Sequence, residues 1–593
     1  MRFESTCTRS TPSGAQSTFP KKASTAQTKC GPRNQRMWPA RAISSGILVL
    51  GCGVAQQPGS SPMIPERHRQ AVTSSSSVAV HGEKPAGAAH PGPEYAGSSS
   101  VSLADFVQQL ERELPQSSWR ELVERAHELS KQSARPPRKI ELPPSLKGLR
   151  YDDFRGIRFR PERSLWRGGA GQFEAQFFHP GFYFQEVVDV FEVKRTATGA
   201  DSRRVEFSTD QFSYEGIPNP PRGAALGFTG FRLHAPLNQT QYRDELVAFL
   251  GASYFRPLGK DTVYGLSARG LAMDFGAPTS EEFPRFTEFY LLEPAANQRQ
   301  VWVLALLESR RATGAYAFRF EPGTMTHVDI TAQLFLRESV SVLGAAPLTS
   351  MYLFGEDAPG RFGDFRPEVH DSDGLAIWGR DGEWLFRPLR NPPRTTTSSL
   401  RADQPRGFGL VQRDRSFDSY QDLEARYQDR PSVWVEPISG FEGGAVRLLE
   451  ISTELETDDN IVAAFVPDRT SLEPLLRYRL HVGRQSPFEA AGGRVVATRL
   501  AKTKNGQRFL VDFRGAALEA RDGVPPPEVR CVASATGGRI VEQHVEKNPY
   551  LDGYRASFEV TPEPGAKDVE LRAFLRAKDV VTETWSYLWQ PTR

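Results

Sequence analysis

Val301-Trp-Val-Leu-Ala-Leu-Leu307, Ala315-Tyr-Ala-Phe-Arg-Phe320 and Ala332-Gln-Leu-Phe-Leu336 follow one another closely, with Pro322-Gly323 between the second and the third. Each is a short strand-like run, and Pro-Gly is a turn signal. The same pattern extends outward from about residue 148 to residue 484. Phe173-Glu-Ala-Gln-Phe177 is another such run, and Pro180-Gly181 and Asp381-Gly382 are further turns. No sustained helical run competes over this span, so an all-β body, a large antiparallel β-sandwich, is expected.

The last hundred or so residues repeat the pattern in miniature, with strand-like runs at 494–499, 508–513, 528–533, 557–561, 570–575 and 585–588. That spacing predicts a smaller immunoglobulin-like sandwich, although the Cys…Trp…Cys mark is absent. Toward the N-terminus, Phe106, Leu110 and Leu114, then Leu122, Ala126 and Leu129, recur at helical spacing on either side of Pro115. Two short helices capping the sheet edge are expected there. Residues 56–100 hold few large apolar groups and read as an unfolded tether, and residues 1–36 are basic, polar and without periodicity. Between them, Arg41 precedes Ala42-Ile-Ser-Ser-Gly-Ile-Leu-Val-Leu-Gly-Cys52-Gly-Val-Ala55. A charged start, a short apolar run and a small-x-small end make a secretory signal, and the run is too short to span a bilayer comfortably. Export with cleavage is the favoured expectation, and lipid anchoring at Cys52 is the weaker alternative. The expected organisation is an extension and signal at 1–55, a linker at 56–100, a large sandwich at 101–486 and a small one at 487–593.

A length of 593 residues exceeds one ordinary core, and 10% aromatics with 50 Gly and 45 Pro fit many short strands. The net charge of +3 and the lack of a basic aromatic motif give no reason to expect nucleic acid as a partner. Cys7, Cys30 and Cys52 precede the first foldable segment, Cys531 stands alone, and no C-x-x-C pair exists. That excludes a zinc site built on cysteine and an obvious disulfide framework. His179, His234 and His370 show no metal-ligand spacing, so neither metal nor cofactor is expected. Ser267 lacks a Gly-x-Ser-x-Gly elbow, and no Gly-Lys-Ser/Thr loop is present to cradle a nucleotide.

Charge is densest in Asp364-Phe-Arg-Pro-Glu-Val-His370-Asp371-Ser-Asp373-Gly374, a turn between strand-like runs. Three readings stay open from these residues alone. Asp and Gly can close a hairpin by side-chain to backbone bonds. Asp371-x-Asp373-Gly374 echoes the start of a calcium loop, without its spaced third acid and closing Glu. A carboxylate here can also do acid/base work, given a partner elsewhere in the chain.

Longer words then carry a resemblance. Phe177-Phe-His179-Pro-Gly-Phe, Leu226-Gly-Phe-Thr-Gly-Phe231, Phe249-Leu-Gly-Ala-Ser-Tyr-Phe255, Tyr264-Gly-Leu-Ser-Ala-Arg-Gly270 and Ala346-Pro-Leu-Thr-Ser350 stand in one order. Phe365-Arg-Pro-Glu-Val-His-Asp371, Gly382-Glu-Trp384, Arg406-Gly-Phe-Gly-Leu410, Arg430-Pro-Ser432 and Asp459-Asn-Ile-Val462 continue it. From about residue 101 to Tyr587 the chain resembles the OpgG/OpgD (MdoG/MdoD) family of periplasmic glucan biosynthesis proteins. The resemblance implies a large galactose-mutarotase-like sandwich with a cleft, then an immunoglobulin-like one, in the periplasm. It implies action on β-1,2-linked glucan as an inverting endo-β-1,2-glucanase. A transglycosylase, or a non-hydrolytic glucan-binding factor for branching or export, is the alternative. An inner-membrane glucan synthase is an expected partner, and the oligomeric state, a homodimer among the options, is left open.

Carried over by the resemblance, the general acid falls on Asp459, the general base on Asp371, and Glu456 and Tyr427 match positions that relay the proton. His370 and Asp373 take positioning roles. Inverting hydrolysis needs one protonated and one ionised carboxyl, normally ~6.5–9.5 Å apart with room for water. Asp371 and Asp459 lie 88 positions apart in sequence, so only the fold can join them. The acidic neighbours Glu454, Glu456 and Asp458 are expected to raise the pKa of Asp459. Sugar rings stack on aromatics while their hydroxyls meet polar groups, which makes Arg366, Tyr352, Trp378, Trp384 and Trp434 candidates for substrate binding.

Overall fold

In the computed structural model the described residues are 116–591, apart from 170, 197–198, 359–362, 516–517 and 519–527. The signal, the tether, the first of the two expected helices and Cys7, Cys30 and Cys52 lie outside them. The protein is mostly β, in several sheets whose pairings are antiparallel but for two.

Strand Val301–Glu308 shows why its run is apolar at every position. Val301, Val303, Ala305 and Leu307 face one core, while Trp302, Leu304 and Leu306 face another. Successive side chains of a strand point to opposite faces, so a strand covered on both sides loses its polar alternation. The first core lies between a ten-stranded and a fifteen-stranded sheet. Phenylalanines bridge them edge to face: Phe231 meets Phe289 at 4.9 Å, and Phe318 meets Phe249 at 5.3 Å and Phe255 at 5.2 Å. Burying such rings removes large apolar areas from water, and the tilted geometry satisfies their quadrupoles.

The second core corrects the expected edge cap. Helix Gln116–Ser130 buries Leu122, Ala126 and Leu129 against Leu304, Leu306, Ala315 and Ala317, on the face of interior strands. Thr313 donates to the Ala126 carbonyl at 2.7 Å, and Arg337 donates to the Leu129 carbonyl at 2.7 Å. An apolar helical stripe needs an apolar surface, which the sheet face offers and a sheet edge does not.

The C-terminal runs expected from sequence form Arg494–Lys502, Gln507–Arg514, Arg530–Thr536, Gly553–Pro562, Val569–Ala577 and Thr584–Trp589. Two strands were not foreseen: the two-residue Val580–Val581, and Gly538–Asn548, largely exposed, which closes a four-stranded sheet. Thr584–Trp589 runs parallel to Trp384–Pro388, pairing Leu385 with Thr584 and Phe386 with Trp585. The fifteen-stranded sheet therefore continues from the C-terminal strands into the large body. Cys531 is half-buried and free, and burial pushes its thiol up to about 12.

Candidate active site

The charged turn, of a kind usually found on a sheet's rim, is exposed at Phe365 and buried in its second half. His370, Asp371 and Ser372 are 1%, 0% and 0% exposed. Strand Val369–His370 pairs with Tyr352–Phe354, the Asp371 amide donates to the Met351 carbonyl at 2.9 Å, and the Asp373 amide donates to that of Val411 at 2.8 Å. The turn is thus fixed between elements of both large sheets.

Inside it, Asp371 Oδ1 accepts from Arg430 Nη1, while Oδ2 is buried without a partner. Arg430 is itself buried: its Nε donates to the Ala425 carbonyl at 3.2 Å and its guanidinium lies 4.3 Å from the Tyr427 ring centre. Gly265 makes room for it, since a Cβ there would come within 2.9 Å of Arg430 Cβ. Burial raises the Asp371 pKa, opposed by Arg430, His370 and Arg256.

Asp459 arrives from the start of strand Ile461–Pro467. Its neighbour Asn460 clamps the approach: the side chain accepts from the Tyr352 amide at 2.8 Å and donates to the carbonyls of Tyr352 at 2.9 Å and Ile451 at 3.1 Å. Asp459 is half-buried as a residue, yet its Oδ2 is shut off from solvent with no partner. Burial pushes its pKa up to about 7; the charge of Asp371 adds to the lift, and Arg256, Arg269 and Arg430 oppose it. The charge of Asp371 thus reaches Asp459. The expected acidic neighbours are not the cause. Asp458 is exposed and accepts from the Thr453 hydroxyl at 2.7 Å, and Glu456 is occupied by Arg366 at 2.6 Å.

Arg366 joins several elements, donating also to Asp422 at 2.8 Å and to Asp364 at 2.7 Å. Tyr427 is buried beside Arg430; burial raises its pKa, Arg430 opposes this, and the charges of Asp371 and Glu456 add to the rise. Asp371, Asp459, Glu456, Tyr427 and Arg366 are therefore linked by charge or hydrogen bonds. Tyr352 is adjacent but committed, its hydroxyl donating to Asp357 at 2.8 Å and its ring stacked on His370 at 5.0 Å. Trp378, Trp384 and Trp434 gather elsewhere, in an aromatic stack packed with the C-terminal core: Trp378 meets Trp384 at 4.9 Å and Trp384 meets Trp434 at 5.5 Å. Trp434 is fully buried.

The residues missed from sequence are Arg430, Arg256, Arg269, Tyr254 and Gln412. Arg269, buried, donates to Glu281 at 2.7 Å and Thr349 at 2.6 Å, with its guanidinium 4.7 Å from the Tyr254 ring centre. For two of them the signal was a cation inside a quoted word, Arg269 in Leu266-Ser-Ala-Arg-Gly270 and Arg430 in Arg430-Pro-Ser432. Among the described residues one trio, Glu368, His370 and Asp373, brings metal-ligating atoms within 4.8 Å of one another. A cavity of about 460 Å³ bounded by Arg160, Arg163, Arg222 and Tyr214 contains none of these acids.

A mostly β protein with two carboxylates that each hide an oxygen from solvent, and a shell of arginines, has the groups for acid/base chemistry on a polar ligand. Residues 118–589 match the family model described as periplasmic glucan biosynthesis protein, MdoG, and the chain belongs to that family. It is 44% identical over 467 residues to glucans biosynthesis protein G of Ralstonia nicotianae, covering 76% of this chain and 92% of that one. Identity to the protein of the same name from Rhodopseudomonas palustris is 42% over 504 residues, 84% of this chain and 96% of the relative. For that of Serratia proteamaculans it is 39% over 485 residues, 79% and 92%. Among the described residues no helix is long and apolar enough to cross a membrane.

Proposed function

We propose that this protein is a periplasmic enzyme of glucan biosynthesis that cleaves the β-1,2-glucan backbone endo-fashion with inversion. The observation that carries the reading is the pair of buried oxygens, Asp371 Oδ2 and Asp459 Oδ2, which lack hydrogen-bond partners in two carboxylates near enough for the charge of the first to act on the second. Buried polar atoms are nearly always satisfied, so two unsatisfied acid oxygens in one cluster are where a reacting molecule would supply the missing partner.

Asp459, lifted to about pKa 7, is protonated in part at neutral pH and gives that proton to the leaving glycosidic oxygen. Asp371, ion-paired to Arg430, stays ionised and takes the proton of the attacking water. Glu456 and Tyr427 serve as the relay, since the Tyr427 hydroxyl can both accept and donate. Arg366 holds Glu456 in place, and Arg256 and Arg269 offset charge that builds as Asp459 loses its proton. The large sandwich is read as galactose-mutarotase-like and residues 487–593 as immunoglobulin-like. Export by the signal at 37–55 belongs to the same proposal.

The test is incubation of the protein with linear β-1,2-glucan. Short oligosaccharides whose new reducing ends appear first as the α-anomer, lost in Asp459→Asn, support inverting hydrolysis. Cyclic or elongated products would instead make it a transglycosylase, and binding without turnover would make it a glucan-binding factor.

A further inference from the structure

We infer that His370 is a permanent imidazolium, held by Glu368 and Gln412, that positions the neighbouring Asp371 and keeps it ionised; its catalytic meaning rests on Asp371 being the base. The argument starts from an amide. Gln412 Nε2 lies 3.2 Å from the His370 carbonyl, 3.1 Å from the Tyr427 carbonyl and 2.9 Å from the Tyr420 hydroxyl. Carbonyls only accept, so this atom must be the nitrogen and the amide cannot be turned over. The oxygen, Oε1, is therefore the atom 3.1 Å from His370 Nδ1. An amide oxygen only accepts, so Nδ1 carries a hydrogen.

The other ring nitrogen, Nε2, is 2.8 Å from Glu368 Oε2, with Asp373 Oδ1 at 3.8 Å. One proton is shared there between a carboxylate and an imidazole. It rests on nitrogen because imidazole is the stronger base by about two pKa units, and because Asp373 adds negative charge nearby. Both ring nitrogens are then donors. No lone pair remains for a metal, so the trio of Glu368, His370 and Asp373 is an ion cluster.

The groups facing the ring come from several elements. Glu368 and Asp373 flank it in the turn, and Glu356 follows strand Tyr352–Phe354. Tyr352 stacks on one face at 5.0 Å, and Tyr420 meets the ring edge-on at 5.2 Å. Asp371, the next residue, is faced in turn by Arg430, Arg256, Tyr427 and Asp459. Burial works against the His370 cation, but the Glu368 hydrogen bond and the charges of Asp373, Glu368 and Glu356 raise its pKa to about 9. Its positive charge helps to hold down the pKa of Asp371, which burial lifts. Gln412, bonded at once to His370 and to the Tyr427 backbone, also fixes the base segment against the relay segment.

The experiment records pH profiles of kcat/KM on linear β-1,2-glucan for the full chain, His370→Gln, Glu368→Gln and Asp371→Asn. In parallel, 13Cε1-histidine NMR follows the resonance that His370→Gln removes. The acid limb is expected to move up by about one pH unit in both His370→Gln and Glu368→Gln. Activity on that limb then falls about tenfold, and the plateau falls by less. The NMR signal should keep an imidazolium shift from pH 5.5 to 8. A merely structural histidine would lower activity at all pH values without moving the limb. The inference is overturned if wild type is active and Asp371→Asn is not, yet the limb stays in place in both other variants, or if the His370 resonance titrates near 6.5. If wild type turns over no glucan, the reading of Asp371 as base falls, and NMR still decides the charge of His370. Should His370→Gln fail to fold, Glu368→Gln and the wild-type resonance assigned by elimination carry the test.

Discussion

Two buried aspartates in neighbouring parts of the same body are treated in opposite ways. Asp329, 1% exposed in the middle of strand Thr326–Leu336, faces Arg319 on one neighbouring strand and Arg479 on the other. Arg319 donates at 2.9 and 2.8 Å and Arg479 at 2.6 and 3.1 Å, so both carboxylate oxygens are saturated. Asp371 has one oxygen paired and one bare, and Asp459 keeps its buried Oδ2 bare. A buried carboxylate costs several kcal/mol to desolvate unless paired, so the fold repays that cost at Asp329 and leaves it outstanding at Asp459. The difference separates an acid that holds strands together from acids kept ready for a ligand.

The sharpest way to break this contrast is to neutralise both kinds. Asp459→Asn should lower glucan turnover by about 10³-fold while the folded fraction stays near wild type, measured by product release and circular dichroism. Asp329→Asn should do the reverse, costing about 3 kcal/mol in urea unfolding because two arginines lose their counter-charge, with turnover per folded molecule unchanged. If Asp329→Asn abolished turnover in folded protein, or Asp459→Asn unfolded it, the contrast would be lost.

A smaller effect is expected in the pH profile. With Asp459 lifted to about 7, kcat/KM should fall with a basic limb near pH 7, as the acid loses its proton. Arg430→Met should move the acid limb upward by about one unit, because it removes a cation that favours ionised Asp371. The smallest effect is on stability. A carboxyl whose folded pKa lies above its unfolded value binds more protons when folded, so its contribution is present below about pH 4 and is lost as pH rises toward 7. Asp459→Asn should therefore melt roughly 1–3 °C above wild type at pH 8 and show no such gain at pH 4.

The strands of the large body were legible because apolar runs broken by Pro-Gly survive burial on one face or two. Gly538–Asn548 was not, because an exposed strand such as Gly-Arg-Ile-Val-Glu-Gln-His carries no apolar requirement. The helix at Gln116–Ser130 was legible as a helix, but its place on a sheet face depends on Leu304 and Leu306 facing away from the main core, which a fully apolar run conceals. Asp371 and Asp459 came from the resemblance and never from spacing. Arg430 stood inside a quoted word and Gln412 outside all of them, and neither could be given a role, since each matters through a partner far away in sequence, Asp371 and His370. The turn at 364–374 was legible as charged, and the burial of its second half, Glu368 to Ser372, was not: local charge density reads as solvent exposure until the arginine and histidine that neutralise it are placed.

The parallel pairing of Thr584–Trp589 with Trp384–Pro388 also makes the end of the chain a guard against aggregation. Were the chain cut after residue 486, strand Trp384–Pro388 would lose its neighbour and present bare amides and carbonyls beside Trp378 and Phe386. An apolar strand with open hydrogen-bonding groups is a template for another copy of itself. Proteolytic trimming from the C-terminus should therefore show itself first as insolubility.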